Sequence, residues 1–463
     1  MNQFQQKDLN YIWHPCSQMK DYEELPPMVI ERGEGVFLYD TEGNKYLDAV
    51  SSWWVNLFGH SNKRINKAIS CQVEELEHVI FANFSHKPAI ELAERLVQIT
   101  PDRLKKVFFA DNGSSSVEIA LKLSYQYYQQ IGKPRKQKFA ALTSSYHGET
   151  LGALSVGDIG AYKEVFNPLL LNTFQIQGPD CYRCKYDQSR KECDAQCFEN
   201  MEKAIKEHHQ ELASIIIEPM VQGAGGMKLY SPVYLQKMRK LCDEYDIMMI
   251  ADEIAMGFGR TGKMFACEHA NISPDLMTLS KGITAGYVPM SVVLMSDKIY
   301  NAFYDDYTKT NSFLHSHSYT GNPIACAVAC ETFNNLEDED ILRVTDTDPG
   351  FRTDIDSWCK NTGNTLLNLK EENDEIIATI QKGRIETEET SSNTPVNNKG
   401  KTMVVFSGEL DKAIASFIIA NGAASMGNDV TLFFTFWGLN ILRKDQYIDV
   451  EKDFMDKMFG KMM

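Results

Sequence analysis

The stretch Asp275-Leu276-Met277-Thr278-Leu279-Ser280-Lys281-Gly282-Ile283 decides how the chain folds. Its apolar run delivers Lys281 onto a tight turn. Earlier in the chain, Ile247-Met248-Met249-Ile250-Ala251-Asp252 is a second apolar run ending in a carboxylate, and Ile215-Ile216-Ile217-Glu218 is a third. Continuous apolar runs of this length mark strands buried on both faces of a parallel sheet. Residues 231–245, between the last two, read as a crossover helix. The strand–helix–strand alternation continues across residues 105–300. It predicts an α/β layer fold, a mainly parallel sheet flanked by helices, with ligands at the carboxyl ends of the strands. Glu218, Asp252 and Lys281 all fall at such ends.

A lysine and an aspartate at the ends of neighbouring α/β units suggest pyridoxal phosphate. The lysine would hold the cofactor as a Schiff base, and the aspartate would keep the pyridine nitrogen protonated so that the ring acts as an electron sink. Upstream, Val107-Phe108-Phe109-Ala110 reads as another buried strand. It runs into Asp111-Asn112-Gly113-Ser114-Ser115-Ser116 and a helical pattern over residues 117–128. A small, hydroxyl-rich turn opening a helix offers unpaired amides and the positive end of the helix dipole, which suit a phosphate. Taken locally, an N-cap by Ser114 or Ser115 accounts for it equally well. Tyr146 follows the short strand Phe139-Ala140-Ala141-Leu142, placed either to stack on a planar ring or to fill the core. Trp53 and Trp54 serve a core or interface, or else an aromatic wall for an apolar substrate. Gly257-Phe258-Gly259-Arg260-Thr261-Gly262-Lys263 lacks the spacing of a P-loop and reads as a loop packing over the site. His315-Ser316-His317-Ser318, ahead of a helix start, reads as a further phosphate contact. Val36-Phe37-Leu38-Tyr39-Asp40 and Lys45-Tyr46-Leu47-Asp48, around Thr41-Glu42-Gly43-Asn44, predict a hairpin.

The chain of 463 residues is 43% apolar and 24% charged, the composition of a globular protein large enough for several domains. Its net charge of -16 argues against nucleic acid or an anionic membrane as partner. Residues 1–13 have no apolar signal core, and no run has the length of a membrane helix. Eleven unevenly spread cysteines do not make a secreted disulfide framework, so a cytoplasmic protein is expected. Cys181, Cys184, Cys193 and Cys197 lie in a polar insertion and leave a structural zinc clip open, with spacing shorter than common zinc sites.

Taken together, Trp13-His14-Pro15, Ser51-Ser52-Trp53-Trp54, Tyr146-His147-Gly148, the run from Ile217-Glu218-Pro219 to Gly225-Gly226, Ala251-Asp252-Glu253-Ile254, Gly257 to Lys263 and Gly321-Asn322-Pro323 resemble the class III (fold type I) aminotransferases, and within them the biotin-pathway branch. The resemblance covers residues 1 to about 342. It implies a pyridoxal-phosphate enzyme and an obligate homodimer. Lys281 would be the Schiff-base lysine and proton shuttle, and Asp252 the partner of the ring nitrogen. Gly113 and Ser114 would bind the phosphate, and Tyr146 would stack on the ring. Trp53 and Ser316 would contact substrate, with Cys16 standing where some members carry a tyrosine near it. His317 and Ser318 match the phosphate contact lent by the partner subunit. The implied reaction is ping-pong transamination of 8-amino-7-oxononanoate to 7,8-diaminononanoate, with S-adenosylmethionine the usual donor and lysine the donor in some relatives.

Beyond Leu342 that pattern stops. Residues 343–383 resemble the back half of a TusA-like sulfur carrier, without its front half. Residues 384–400 have the composition of a linker. Residues 401–463 resemble the start of a DsrE-like domain and carry no cysteine. The expected division is therefore an N-terminal arm with part of a small domain (1–50), a cofactor-binding large domain (51–342), and three C-terminal segments. The departure implies impaired turnover. Two other functions remain open: a class III ω-aminotransferase of the ornithine or 4-aminobutyrate type, and a non-catalytic scaffold linked to sulfur relay.

Overall fold

The structure is a computed structural model that describes residues 1–190, 192–338, 341–346, 351–362, 364–372, 375–381, 400–405 and 429–434. The chain forms two compact units, Met1–Ser391 and Ser392–Met463. The first is built on a seven-stranded sheet: β1 (Leu104–Ala110), β2 (Lys138–Leu142), β3 (Phe174–Ile176), β4 (Leu212–Ile217), β5 (Met248–Asp252), β6 (Leu276–Leu279) and β7 (Ser291–Ser296), in the order β1-β7-β6-β5-β4-β2-β3. Strands β2 to β6 pair in parallel, and β7 runs antiparallel to both β6 and β1. This is the mixed, mainly parallel sheet of fold type I.

Every residue of β4, β5, β6 and β7 is buried. Successive residues alternate between two cores. Ile215, Ile217, Met249, Met277 and Val292 enter one, while Ile216, Met248, Ile250, Leu276 and Val293 enter the other. This two-sided burial is why the strands read as unbroken apolar runs rather than as alternation. Helix α1 (Gly113–Gln130) packs against β6 and β7. Helix α2 (Pro232–Glu244) makes the crossover, capped by Ser231 Oγ on the amide of Val233 and opened by Pro232.

Register brings the functional ends together. Ala251 pairs with Ile217 on one side and Met277 on the other, and Asp252 pairs with Thr278. Glu218, Asp252 and the approach to Lys281 therefore leave the sheet side by side. The expected hairpin is present as antiparallel strands Phe37–Asp40 and Lys45–Leu47, joined by Ile30–Glu34 in a separate three-stranded sheet. The Asp40 carboxylate closes its turn, accepting from the amides of Glu42 and Asn44, the side chain of Asn44 and the Tyr46 hydroxyl.

Some elements differ from the sequence expectation. The N-terminal arm is preceded by a helix, Gln3–Tyr11, with no buried residue and a capping box between Asn2 and Gln5. Helix α1 begins at Gly113 rather than at 117, so the hydroxyl-rich turn is its first turn. Helix Phe351–Thr362 packs on an antiparallel sheet of strands Ile341–Asp346, Glu375–Gln381 and Thr365–Glu372, burying Ile355, Cys359, Ala378 and Ile380. The linker segment 384–399 lies outside the described residues. In the second unit, Gly400–Val405 and Asp429–Phe434 pair in parallel, and the helix expected between them lies outside the described residues. No helix among the described residues is long and apolar enough to cross a membrane.

At the start of β6, Asp275 accepts from Arg239 Nη1 at 2.7 Å and from the amide of Met249 at 2.9 Å, and both side chains are buried. Removing the carboxylate takes the buried partner from this guanidinium, leaving it only the more exposed Asp243, and leaves the Met249 amide unpaired. Asp275→Ala is expected to destabilise the first unit by about 3 kcal/mol. Urea unfolding followed by circular dichroism checks this; a loss within 0.5 kcal/mol of zero, the size of an ordinary surface change, contradicts it.

Candidate active site

A cavity of about 490 Å³ opens at the carboxyl ends of β1, β2, β4, β5 and β6. Its lining includes Lys281, Asp252, Tyr146, Gly113, Ser114, Trp53 and Cys16. Seven of the ten residues singled out in the sequence are therefore in one place, although they span positions 16 to 281. Glu218, Trp54, His147, Glu149 and Tyr162 complete the working surface.

Lys281 follows β6 on a left-handed backbone, φ +45°, which a non-glycine residue adopts only under constraint. Its Nζ lies 5.0 Å from the ring centroid of Trp54. Burial pushes its ammonium pKa below the ordinary lysine range. The negative charges of Asp252 and Glu218 oppose that shift, and Arg260 adds to it. Desolvation dominates, which favours the neutral, nucleophilic amine.

Trp53 and Trp54 belong to Ser51–Trp54, four successive residues with φ between +47° and +67°. Arg260 of the glycine-rich loop donates to the Trp54 carbonyl at 3.1 Å, so this loop packs on the tryptophan turn. On the opposite wall the Tyr146 hydroxyl donates to Glu149 at 2.8 Å, and its ring meets Tyr162 edge-on at 6.2 Å. Cys16 sits within reach of the Tyr162 hydroxyl, which helps to raise that phenol's pKa.

Asp252 is 4% exposed. Its Oδ2 accepts from His147 Nδ1 at 2.6 Å, and its Oδ1 accepts from the Ile254 amide at 3.1 Å and the Thr278 hydroxyl at 3.3 Å. Glu218 accepts from the amides of Tyr146 and Gly223. Burial pushes its carboxyl up to about 7, with His147 pulling it down and Asp252 pushing it further up. The sequence singled out Asp252 and Glu218 as strand ends but gave His147, Thr278 and Tyr162 no role. The His147 contact crosses 105 residues and has no local pattern.

The first turn of α1 fits a phosphate. The amides of Gly113 and Ser114 open the helix, with no carbonyl four residues back to receive them. Asn112 caps by accepting from Ser115. Gly148, at φ +120°, presses its backbone against this turn: a Cβ there would lie 2.1 Å from Ser114 Oγ. Glu149 donates its amide to Ser114 Oγ at 3.1 Å. A phosphate cradle, an amine of lowered pKa and a buried carboxylate around one cavity are the groups that pyridoxal phosphate requires.

Three predicted site residues are elsewhere. Ser316, His317 and Ser318 do not line this cavity. Ser316 and Ser318 are exposed, and His317 Nδ1 lies 3.1 Å from Asp111 Oδ2 without hydrogen-bond alignment. Among the described residues, no group of three or more His, Cys, Asp or Glu side chains is arranged to hold a metal, the four-cysteine insertion included.

Glu218 generates a pH dependence. Its folded pKa is raised from 4.5 to about 7, so the folded protein holds this proton more tightly than the unfolded chain. The resulting stability, about 3 kcal/mol, is complete below pH 4.5 and is lost as the pH rises through about 7. Thermal midpoints of cofactor-free wild type and Glu218→Gln across this window check it. The wild type is expected to lose ground to the variant as the pH rises, and a constant difference refutes the assignment.

Comparison with known proteins bears on the whole chain. Residues 18–397, extending beyond Leu342, match the family described as Aminotransferase class-III, and residues 397–463 match the DsrE/DsrF/DrsH-like family. Relatives named adenosylmethionine-8-amino-7-oxononanoate aminotransferase include one from Geobacter sulfurreducens, 46% identical over 336 residues (72% of this chain, 74% of the relative). Another, from Helicobacter pylori, is 47% identical over 349 residues (74% and 77%). The solved structure of the same-named enzyme from Methanocaldococcus jannaschii superposes with a TM-score of 0.68 at 37% identity, covering 79% of this chain and 82% of that one. An ω-transaminase from Pseudomonas jessenii, solved in complex with PMP, gives 0.69 at 33% identity, covering 73% and 75%. With the match spanning most of its length and the cavity built as described, the chain belongs to the class III aminotransferases, a family of pyridoxal-phosphate-dependent transaminases.

Proposed function

We propose that this protein transfers an amino group from S-adenosylmethionine to 8-amino-7-oxononanoate, giving 7,8-diaminononanoate for biotin synthesis. The observation that carries the reading is the cavity itself: an amine of lowered pKa, Lys281, beneath an aromatic mouth of Trp53, Trp54, Tyr146 and Tyr162. An aromatic slot suits the apolar chain of the acceptor. The names of the relatives at 40–47% identity point to the same substrates.

When bound, pyridoxal phosphate supplies the electron sink. The chain's own residues do the rest. Gly113 and Ser114 would receive the phosphate at the start of α1. Tyr146 would cover one face of the ring, and Asp252 would meet the ring nitrogen. Lys281 Nζ would hold the cofactor at rest and, once freed, would take the α-proton of the donor and deliver a proton to the acceptor's former carbonyl carbon in the second half-reaction. Trp53 and Trp54 exclude water and line the acceptor's path, with Cys16 at the mouth. Ser316, His317 and Ser318 act from a partner subunit, with His317 and Ser318 at the phosphate and Ser316 at the substrate. A homodimer follows from that assignment, and the protein works in the cytoplasm.

Residues 51–342 then form the cofactor-binding domain, preceded by the arm and part of a small domain (1–50). They are followed by a TusA-like fragment (343–383), a linker (384–400) and a DsrE-like fragment (401–463). The departure of the chain from the family pattern beyond Leu342 carries the further reading that turnover is impaired. The ω-transaminase structure matches equally well in shape, so a substrate panel separates that alternative.

The test is the visible spectrum of the purified chain with pyridoxal phosphate. A lysine-bound cofactor band is expected. S-adenosylmethionine should bleach it, and Lys281→Ala should abolish it along with about 10³-fold or more of turnover. A band indifferent to S-adenosylmethionine but bleached by another amine would transfer the assignment to that donor.

A further inference from the structure

Glu253 follows Asp252 out of β5. It is 0% exposed, but it is not part of the cavity's lining. Its amide donates to the Thr278 carbonyl of β6 at 3.1 Å, so the sheet fixes its position. Its carbonyl accepts from the Gly257 amide at 2.8 Å, where the glycine-rich loop begins. Its carboxylate takes the other end of that loop: Oε2 accepts from the Ala266 amide at 2.9 Å and Oε1 from the Cys267 amide at 2.7 Å. A buried acid is costly unless it is hydrogen-bonded. Here both oxygens serve one segment, and a single residue closes that segment at both ends.

Between these ties the loop meets both left-handed turns of the site. Phe258, 4% exposed, packs against Gly282, the residue after Lys281. A Cβ at Gly282 would lie 2.9 Å from the Phe258 ring. Arg260 Nη2 donates to the Trp54 carbonyl at 3.1 Å, at the end of Ser51–Trp54. Non-glycine residues hold φ values of +45° to +67°, as these turns do, only where their surroundings fix them. Further hydrogen bonds of the loop, Gly262 to Gly259, Gly259 to Met264 and His269 to Thr261, stay within it or reach the turn that follows. The tie to the sheet at both ends is Glu253.

We infer that Glu253 is a positioning residue for the site: by closing residues 257–266 at both ends, it clamps Phe258 on the lysine turn and Arg260 on the tryptophan turn. It reaches the reaction only through those turns, as a supporting residue holds the groups that do the chemistry. The clamp is independent of what the cavity binds. Its effect on turnover rests on the reading that the cavity takes pyridoxal phosphate.

The experiment compares full-chain wild type and Glu253→Gln, first without cofactor. Circular dichroism checks folding. Trypsin cleavage after Arg260 and Lys263, mapped by mass spectrometry, reports opening of the loop. Glu253→Gln keeps one acceptor but turns an amide donor towards the second backbone amide. It is expected to be cut on the order of tenfold faster at these two sites, with cleavage elsewhere unchanged. Unchanged cleavage at both sites in the folded variant overturns the inference. So does an equal acceleration at every site, which is a loss of global stability and not of a clamp. If Glu253→Gln does not fold, hydrogen exchange of the wild type decides. Matched protection of the Gly257, Ala266 and Cys267 amides supports the clamp, and independent exchange of the two ends overturns it. With pyridoxal phosphate bound, the pH midpoint of the visible band is expected to rise in Glu253→Gln, because Arg260 in place helps to hold the Lys281 ammonium pKa down. Arg260→Met is expected to reproduce that rise, and the double variant to add little to it, since both changes act through one loop. An unmoved midpoint in a variant whose loop is cut faster overturns the link to the turns. If the wild type binds no pyridoxal phosphate, the link to turnover falls, while cleavage and exchange of the cofactor-free chain still decide the clamp.

Discussion

The structure depends on withdrawing one amine from water beside two buried carboxyls. Ordinary electrostatics would let Asp252 and Glu218 fix Lys281 as an ammonium ion. Burial acts the other way and dominates, so the lysine's pKa falls. Such a balance requires the three groups to be near one another without a direct ion pair. Asp252 is occupied by His147, Thr278 and Ile254, and Glu218 by two backbone amides. No carboxylate oxygen is handed to Lys281. The hydrogen bonds that satisfy the acids are what leave the base available.

That arrangement is made by sheet register. Because β4, β5 and β6 are parallel and aligned, residues that follow paired positions emerge together. A one-residue slip would move each strand's side chains to the opposite face and exchange the two cores. The packing of Ile217, Met249 and Met277 on one side, with Ile216, Met248 and Leu276 on the other, therefore fixes the site's geometry as well as the protein's stability. The cost appears as strain where the chain leaves this framework. Lys281 and all of Ser51–Trp54 sit in the left-handed region, at about 1–2 kcal/mol per residue. Only a well-packed surround can hold non-glycine residues there.

The sheet was legible because both-sided burial writes itself into sequence as continuous apolar runs. Lys281, Asp252 and Glu218 were legible because they end such runs. The hairpin at Asp40 was legible because its turn residues carry their own hydrogen bonds. His147 was not, since nothing in residues 143–150 says that this imidazole meets an aspartate on β5. The pairing of Cys16 with Tyr162 is equally non-local. The N-terminal helix Gln3–Tyr11 escaped notice for a different reason. It buries no residue, so it has no apolar stripe, and its only signal is the capping box of Asn2 and Gln5. Ser316, His317 and Ser318 read as a phosphate contact from their hydroxyls and imidazoles ahead of a helix start as well as from the family pattern, and they do not line the cavity formed by their own chain.

Trp53 is 64% exposed at the mouth of the cavity, and Leu314, beside the Ser316–Ser318 segment, is 85% exposed. Single exposed apolar residues are common and mean little. Here one marks an open mouth and the other flanks the segment that the proposed homodimer would bring to a neighbour's phosphate site. For Trp53 to exclude water as proposed it would need a cover, and in the single chain it is 64% exposed. In the proposed homodimer a second copy presenting His317 and Ser318 would add phosphate contacts and shield Trp53 in one act of association. The same surface would then account for both the position of His317 and Ser318 outside their own cavity and the exposed tryptophan.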